Sequence, residues 1–320
     1  MPPSNAFRDE LSAEVRDILS NEFSIEVTST NTVPHSGDGA ITYPNTDAMR
    51  QGTKLLETCV LYIDIRRSTE LNFTHRQATV AKLYSAFVRA MTRCARQHNG
   101  HVRGIIGDRV MVMFDVQDCF VNAVETAISM NSAAKYVINK HFKANEVECG
   151  IGIDHGSMLA TKTGVIRRGQ EQSNYRNLVW LGRPANVASK LTDIANKAGE
   201  WTMQDEVSVA RQLPGQSEWA WTDETLPTFL GHFEQTGWFP ARTWAVDGDI
   251  ASFFASTSSV ETRPATPPIL MTKAVYDGYR AAKPNAKDLV NGWWTKVNVQ
   301  VSGNRQPIYG GDVIWTNFKA

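Results

Sequence analysis

No apolar run in this chain approaches the ~20 residues that a membrane-spanning helix needs. Nor is there an excess of charge of either sign. Thirty-three lysines and arginines balance 33 aspartates and glutamates, so no net field favours nucleic acid or an anionic membrane surface. Cysteine is scarce: Cys59, Cys94, Cys119 and Cys149 all sit inside apolar patterns, and no two are spaced as a metal pair. They read as small core residues in a reducing compartment. The N-terminus, MPPSNAFRDELSAEV, is polar and acidic and lacks the apolar centre of a signal peptide. These absences point to a cytoplasmic globular protein with no membrane span and no nucleic-acid partner. Its 320 residues suffice for one large or two modest domains.

What is present is more specific. The string Y-I-D-I-R-R-S-T around Asp64 and the string I-I-G-D around Asp108 each put an aspartate at the end of a β-branched apolar run. Alone, such an aspartate is more often a turn former or a helix cap. Together they are two carboxylates emerging from strand ends, a set that can hold magnesium or manganese when nucleotide phosphates complete the shell. A third string, G-R-P-A-N-V-A-S-K from Gly182 to Lys190, carries Asn186 and Lys190 four residues apart, hence on one helical face.

The remaining pattern organises these strings. Leu11, Val15, Ile18 and Leu19 predict a short amphipathic helix, and residues 28–52 have loop composition. A strand, CVLYIDI, leads to a helix with Val80, Leu83, Tyr84, Phe87, Val88 and Met91 on one face, which stops near Asn99-Gly100. HVRGIIGD and RVMVMFD predict a hairpin turning at Gly107-Asp108, and a second helix runs from about Cys119 to Phe142. The strand VECGIGIDHGSMLATK, a polar loop to about Asn174, the strand NLVWLG and a helix from Pro184 to Asn196 follow. This order predicts an open sheet covered by helices on one face. Residues 200–265 are rich in tryptophan, read as a small added core, and pass into STSSVETRPATPP, a proline-punctuated linker.

The three strings, in this order, resemble the class III nucleotide cyclases, strongly over residues 52–199 and weakly over 267–316. The resemblance implies an α+β fold, a ferredoxin-like domain with a central, mostly antiparallel sheet and flanking helices. It divides the chain into an N-terminal helix and loop arm (1–51), a catalytic core (52–199), an aromatic-rich insertion (200–266) and closing strands (267–320). It implies two divalent metal ions, Mn2+ or Mg2+, on Asp64, Asp108 and the Ile65 carbonyl, with Asn186 orienting the ribose. Where the family carries a transition-state arginine this chain has Lys190, which supplies charge without the planar fork. Where many members carry a triphosphate-binding lysine it has Ser302, and Arg305 is the nearest basic substitute. The resemblance also implies a homodimer with composite active sites. His155 is assigned to packing.

Substrate choice follows from two further positions. Purine cyclases read the base from residues that correspond here to Gly104 and Val179, neither of which offers a hydrogen bond to a purine edge. In this the chain resembles the pyrimidine cyclases of bacterial anti-phage Pycsar systems, whose cyclic UMP or cyclic CMP activates a separate effector protein. Tyr62, on the same strand face as Asp64, is a candidate for contact with the sugar or base, and Arg109 a weaker one for a base carbonyl. Overall resemblance favours UTP, with CTP close behind. A purine cyclase and an inactive nucleotide-binding module are the alternatives. A diguanylate cyclase or polymerase palm domain would carry an acidic partner beside Asp108, where Gly107 and Arg109 stand instead.

Overall fold

Helix α1 (Asn5–Leu19) starts at Ser4, whose hydroxyl accepts the Phe7 N–H at 3.2 Å. None of its side chains is buried. Strand β1 (Ser24–Ser29) then pairs in parallel with the first third of β2 (Arg50–Ile65). The computed structural model to which these elements belong describes residues 3–142, 147–164, 178–212, 217–225, 228–229, 233–235, 242–244, 251–263 and 265–319. They fall into two compact units, Met1–Lys197 with Thr266–Ala320, and Ala198–Ala265.

In the first unit β2 is followed by α2 (Ser68–Thr74) and α3 (Gln77–Gln97). The predicted hairpin forms from β3 (Gly100–Ile106) and β4 (Arg109–Phe114). Its two-residue turn requires a positive φ, which Gly107 supplies at 62°. Helix α4 (Cys119–Ala133) passes through a π-helical stretch, Ala134–Ile138, into a last turn, α5 (Asn139–His141). Strands β5 (Cys149–Thr161) and β6 (Val179–Leu181) lead to α6 (Arg183–Ile194). Most of the polar loop expected before β6 lies outside the described residues.

The second unit pairs β7 (Glu200–Gln212) with β8 (Ala220–Thr225) and β11 (Ala251–Arg263), and β9 (Phe233–Gln235) with β10 (Arg242–Trp244). One expectation changes here. STSSVETR is not a linker but most of β11, in thirteen-residue register with β7. The described core of this unit is Val207, Val209 and Phe229, whereas Trp219 and Trp221 are exposed. Trp238 lies outside the described residues.

The chain then closes the first unit with β12 (Ile269–Thr272), α7 (Lys273–Ala282), α8 (Lys287–Val290), β13 (Thr295–Val297) and β14 (Ile308–Gly311). The sheet runs β13-β14-β12-β5-β2-β4-β3, with β1 added to β2 and β6 to β5. All its pairings are antiparallel except β1 with β2 and β5 with β12.

Strand alternation sorts the core. Cys59, Leu61, Ile63, Val110, Val112, Ile151 and Ile153 face Leu83, Phe87, Met91, Ala123, Ala127 and Val275 of α3, α4 and α7. Burying a side chain such as Phe87 contributes about 2 to 3 kcal/mol. The other face is not open, as the one-sided expectation had it. It carries Leu56, Val60, Met111 and Met113 against Ala185 and Ala188 of α6. Glycine makes that contact possible, because a Cβ on Gly150 would stand 2.6 Å from the Thr192 carbonyl and one on Gly152 would stand 2.2 Å from that of Ala188. Helix α6 therefore lies directly on the β5 backbone.

Candidate active site

Asp64 leaves the sheet at the end of β2, and Asp108 occupies the second position of the β3–β4 turn beside it. The Ile65 N–H donates to Asp108 Oδ2 at 3.1 Å, which seats this carboxylate on the β2 terminus. Asp108 is only 9 % exposed. Burial, and then the charge and hydrogen bond of Asp64, push its pKa up to about 6.

Asp64 has a different partner. Arg109 donates from Nε and Nη2 to Asp64 Oδ2 at 3.1 and 2.7 Å, from Nη1 to the Ser189 hydroxyl at 2.9 Å, and from Nη2 to Asp193. Four of its five N–H donors are thereby engaged with Asp64 and α6. It clamps a carboxylate while also lining the adjacent cavity, because the turn that presents Asp108 aims the next residue at α6. Arg66 is a staple. It donates to the carbonyls of Asp193 and Thr192 at 3.0 and 2.7 Å, holding the end of β2 to the last turn of α6. Arg67 pairs with Glu148 at 2.9 Å.

Asp64, Asp108 and the Ile65 carbonyl fit a hard divalent cation. Among the described residues no group of three or more His, Cys, Asp or Glu side chains makes a complete cage. Two carboxylates with open positions for substrate phosphates are nevertheless the usual set for magnesium. The raised Asp108 pKa reflects burial first and then the neighbouring Asp64 charge, and a bound cation would favour the ionised form against both.

Asn186 and Lys190 behave otherwise. Both are exposed on α6, and among the described residues no hydrogen bond or ion pair joins either to Asp64 or Asp108. Lys190 Nζ donates instead to the Ser302 carbonyl at 3.2 Å, on the loop that also carries the exposed Arg305. The same helix thus gives Ser189 and Asp193 to the carboxylate side and leaves Asn186 and Lys190 in solvent. Sequence reasoning missed Ser189 and Asp193, although their i, i+4 spacing marks a shared face.

Next to Asp64 lies a cavity of about 690 Å³ lined by Tyr62, Arg103, Gly104, Arg109, Leu178 and Trp180, together with His35, Ser36 and four further residues. Tyr62 donates to Met111 Sδ at 2.9 Å, and burial raises its pKa. Val179 does not line this cavity. The two-residue period of β6 turns its neighbours Leu178 and Trp180 inward in its place. His155 stacks on Phe120 with centroids 4.5 Å apart, a packing role.

Comparison with known proteins defines the class. Residues 52–219 match the adenylate and guanylate cyclase catalytic domain. The chain belongs to this family and is a nucleotide cyclase. It is 27% identical over 242 residues to a uridylate cyclase of Burkholderia cepacia, covering 72% of this chain and 99% of the relative. To a uridylate cyclase of Xanthomonas perforans it is 30% identical over 197 residues, 58% of this chain and 77% of the relative. A cytidylate cyclase of Staphylococcus aureus is 27% identical over 135 residues, covering 39% of this chain and 32% of the relative. Among solved structures, the crystal structure of the adenylyl cyclase CyaB from P. aeruginosa has a TM-score of 0.46 at 18% identity, covering 80% of this chain and 94% of that one. No helix among the described residues is long and apolar enough to cross a membrane.

Proposed function

We propose that this protein is a uridylate cyclase, converting UTP to 3',5'-cyclic UMP and pyrophosphate. The observation that carries the reading is the cavity beside Asp64. Its described lining contains Tyr62 and Gly104 and no lysine, aspartate or glutamate, so the side chains that read a purine edge are missing. The similarity to uridylate cyclases supports it. A cytidylate cyclase is the second reading, favoured by the likeness to the S. aureus protein.

In the proposed reaction the ribose 3'-oxygen attacks the α-phosphorus, and the bond to the bridging oxygen breaks as pyrophosphate leaves in line. Two divalent cations, Mn2+ or Mg2+, when bound by Asp64, Asp108 and the Ile65 carbonyl, lower the pKa of the attacking hydroxyl and offset triphosphate charge. Arg109 holds the Asp64 carboxylate in orientation through its Nε and Nη2 donors. Asn186 holds the ribose, Lys190 brings positive charge to the α-phosphate, and Arg305 and the residue 302 loop face the outer phosphates. Asn186 and Lys190 reach these groups from a second copy of the chain, so the working form is a homodimer with two composite sites. The core for this chemistry is residues 52–199 with the closing strands at 267–320. In a bacterial cytoplasm the product would act as a second messenger in anti-phage defence, through a separate effector protein.

Incubation of the purified protein with ATP, GTP, UTP and CTP and manganese, followed by mass spectrometry, tests this. Cyclic UMP is the expected main product. Robust cyclic AMP or cyclic GMP with no pyrimidine product overturns the reading.

A further inference from the structure

One wall of the cavity comes from outside the matched cyclase region. His35 and Ser36 belong to the arm before β2, whereas the family match starts at residue 52. The sequence reads this stretch as a surface loop, yet Val33 and Ile41 are buried.

Its position is set by hydrogen bonds to the β3–β4 hairpin. Val33 N–H donates to Asp115 Oδ1 at 2.7 Å, and Val116 N–H donates to the Asn31 carbonyl at 2.9 Å. Arg103 donates to the carbonyls of Pro34, Val102 and Val33 at 3.0, 3.2 and 3.4 Å. The β3–β4 register shifts between Val102 and Gly104, so Arg103 is the extra residue of a bulge, a device that re-aims one side chain. Beyond the latch, Lys54 holds Asp38 at 2.5 Å. The segment is thus tied on both sides of His35.

Donors predominate on this wall, although the Ser36 hydroxyl can also accept. Gly37 N–H donates to His35 Nδ1 at 3.1 Å. In the neutral ring the proton then sits on Nε2, which becomes a donor. Among the described residues, three of the five N–H donors of Arg103 go to carbonyls and two have no partner. The Ser36 hydroxyl adds another. No carboxylate or carboxamide side chain stands among the described lining. Uracil presents two carbonyl acceptors flanking an N–H donor, whereas cytosine replaces one carbonyl with an amine donor and the N–H with an acceptor nitrogen.

We infer that the Val33–Ser36 segment, latched by Arg103, is the base-reading wall of the nucleotide pocket, with His35 Nε2–H donating to a carbonyl of uracil. This rests on the pyrimidine reading above and separates UTP from CTP within it. His35 contacts the base and Arg103 positions the segment that carries His35.

The test is kcat and KM for UTP and CTP in the full chain with His35→Ala, His35→Asn, Ser36→Ala and Arg103→Lys, with thermal melts beside them. His35→Ala is expected to raise KM for UTP about tenfold, the loss of one hydrogen bond to a buried acceptor, with kcat within twofold and CTP kinetics little changed. His35→Asn, which keeps a side-chain N–H, is expected to recover part of the loss. Arg103→Lys lowers the preference for UTP in the same direction because the fork that grips the segment is gone. A UTP-to-CTP ratio that stays within twofold of wild type in all four folded variants overturns the inference and leaves the uridylate reading standing. A wild-type enzyme that makes only purine products overturns both.

Discussion

The two halves of the candidate site are built to different standards of completion. Around Asp64 and Asp108 every charged group has a partner within the chain: Arg109 bridges Asp64, Ser189 and Asp193, and the Ile65 N–H seats Asp108. On the outer face of α6, Asn186 is exposed and, among the described residues, Lys190 reaches only a backbone carbonyl. One half is assembled by folding. The other is displayed, which is what a site completed by a second copy requires.

The sharpest way to break this contrast is to remove the assembled half. Asp64→Ala and Asp108→Ala are each expected to lower turnover by at least about a thousandfold while the circular dichroism spectrum stays native, since among the described residues no cluster of three or more His, Cys, Asp or Glu side chains offers a substitute site. Activity above a hundredth of wild type in either variant removes the two-metal model. On the displayed half, Lys190→Ala should lower kcat about a hundredfold with a smaller change in KM, the cost of one lost transition-state charge, and Lys190→Arg should restore it. Equal loss in both variants would mean that the position serves only to hold the Ser302 loop.

Mixing the halves tests whether they belong to different chains. Asp64→Ala and Asn186→Ala, each inactive, should together recover up to about a quarter of wild-type activity, because random pairing makes half the dimers mixed and each mixed dimer has one intact site. A mixture as inactive as its components places both halves in one chain. The smallest effect concerns stability without metal. An acid whose folded pKa lies above its unfolded value favours the folded state below the unfolded pKa and loses that contribution as pH rises through the folded one. With chelator at pH 7, Asp108→Asn is therefore expected to stabilise the protein by about 1 kcal/mol, the difference vanishing below about pH 4. A variant less stable than wild type at pH 7 would show that the carboxylate's hydrogen bond to Ile65 outweighs the repulsion.

Local signals in the sequence carried much of this. The Val80-to-Met91 spacing anticipates the buried stripe of α3, and Gly107-Asp108 anticipates the hairpin turn, because periodicity and turn chemistry are properties of neighbouring residues. What stayed hidden depends on long-range register. Strand β2 starts at Arg50, nine residues before the apolar run at Cys59, because β1 and β5 pair with its polar first part. The burial of α6 against the second sheet face turns on Gly150 and Gly152, which look like ordinary strand glycines until the helix is in place. The Arg109 clamp and the Arg66 staple join residues 45 or more positions apart, and no spacing rule reaches that far.

The seat of α6 on β5 has a thermodynamic meaning of its own. A helix resting on bare backbone at two glycines has little freedom to tilt or slide, so Asn186 and Lys190 are held in place by the helix that bears them rather than by neighbours of their own. The backbone that carries them is ordered when the chain folds. A partner subunit or nucleotide that meets this face encounters groups already in position, and association forgoes the entropy loss that a flexible display would impose.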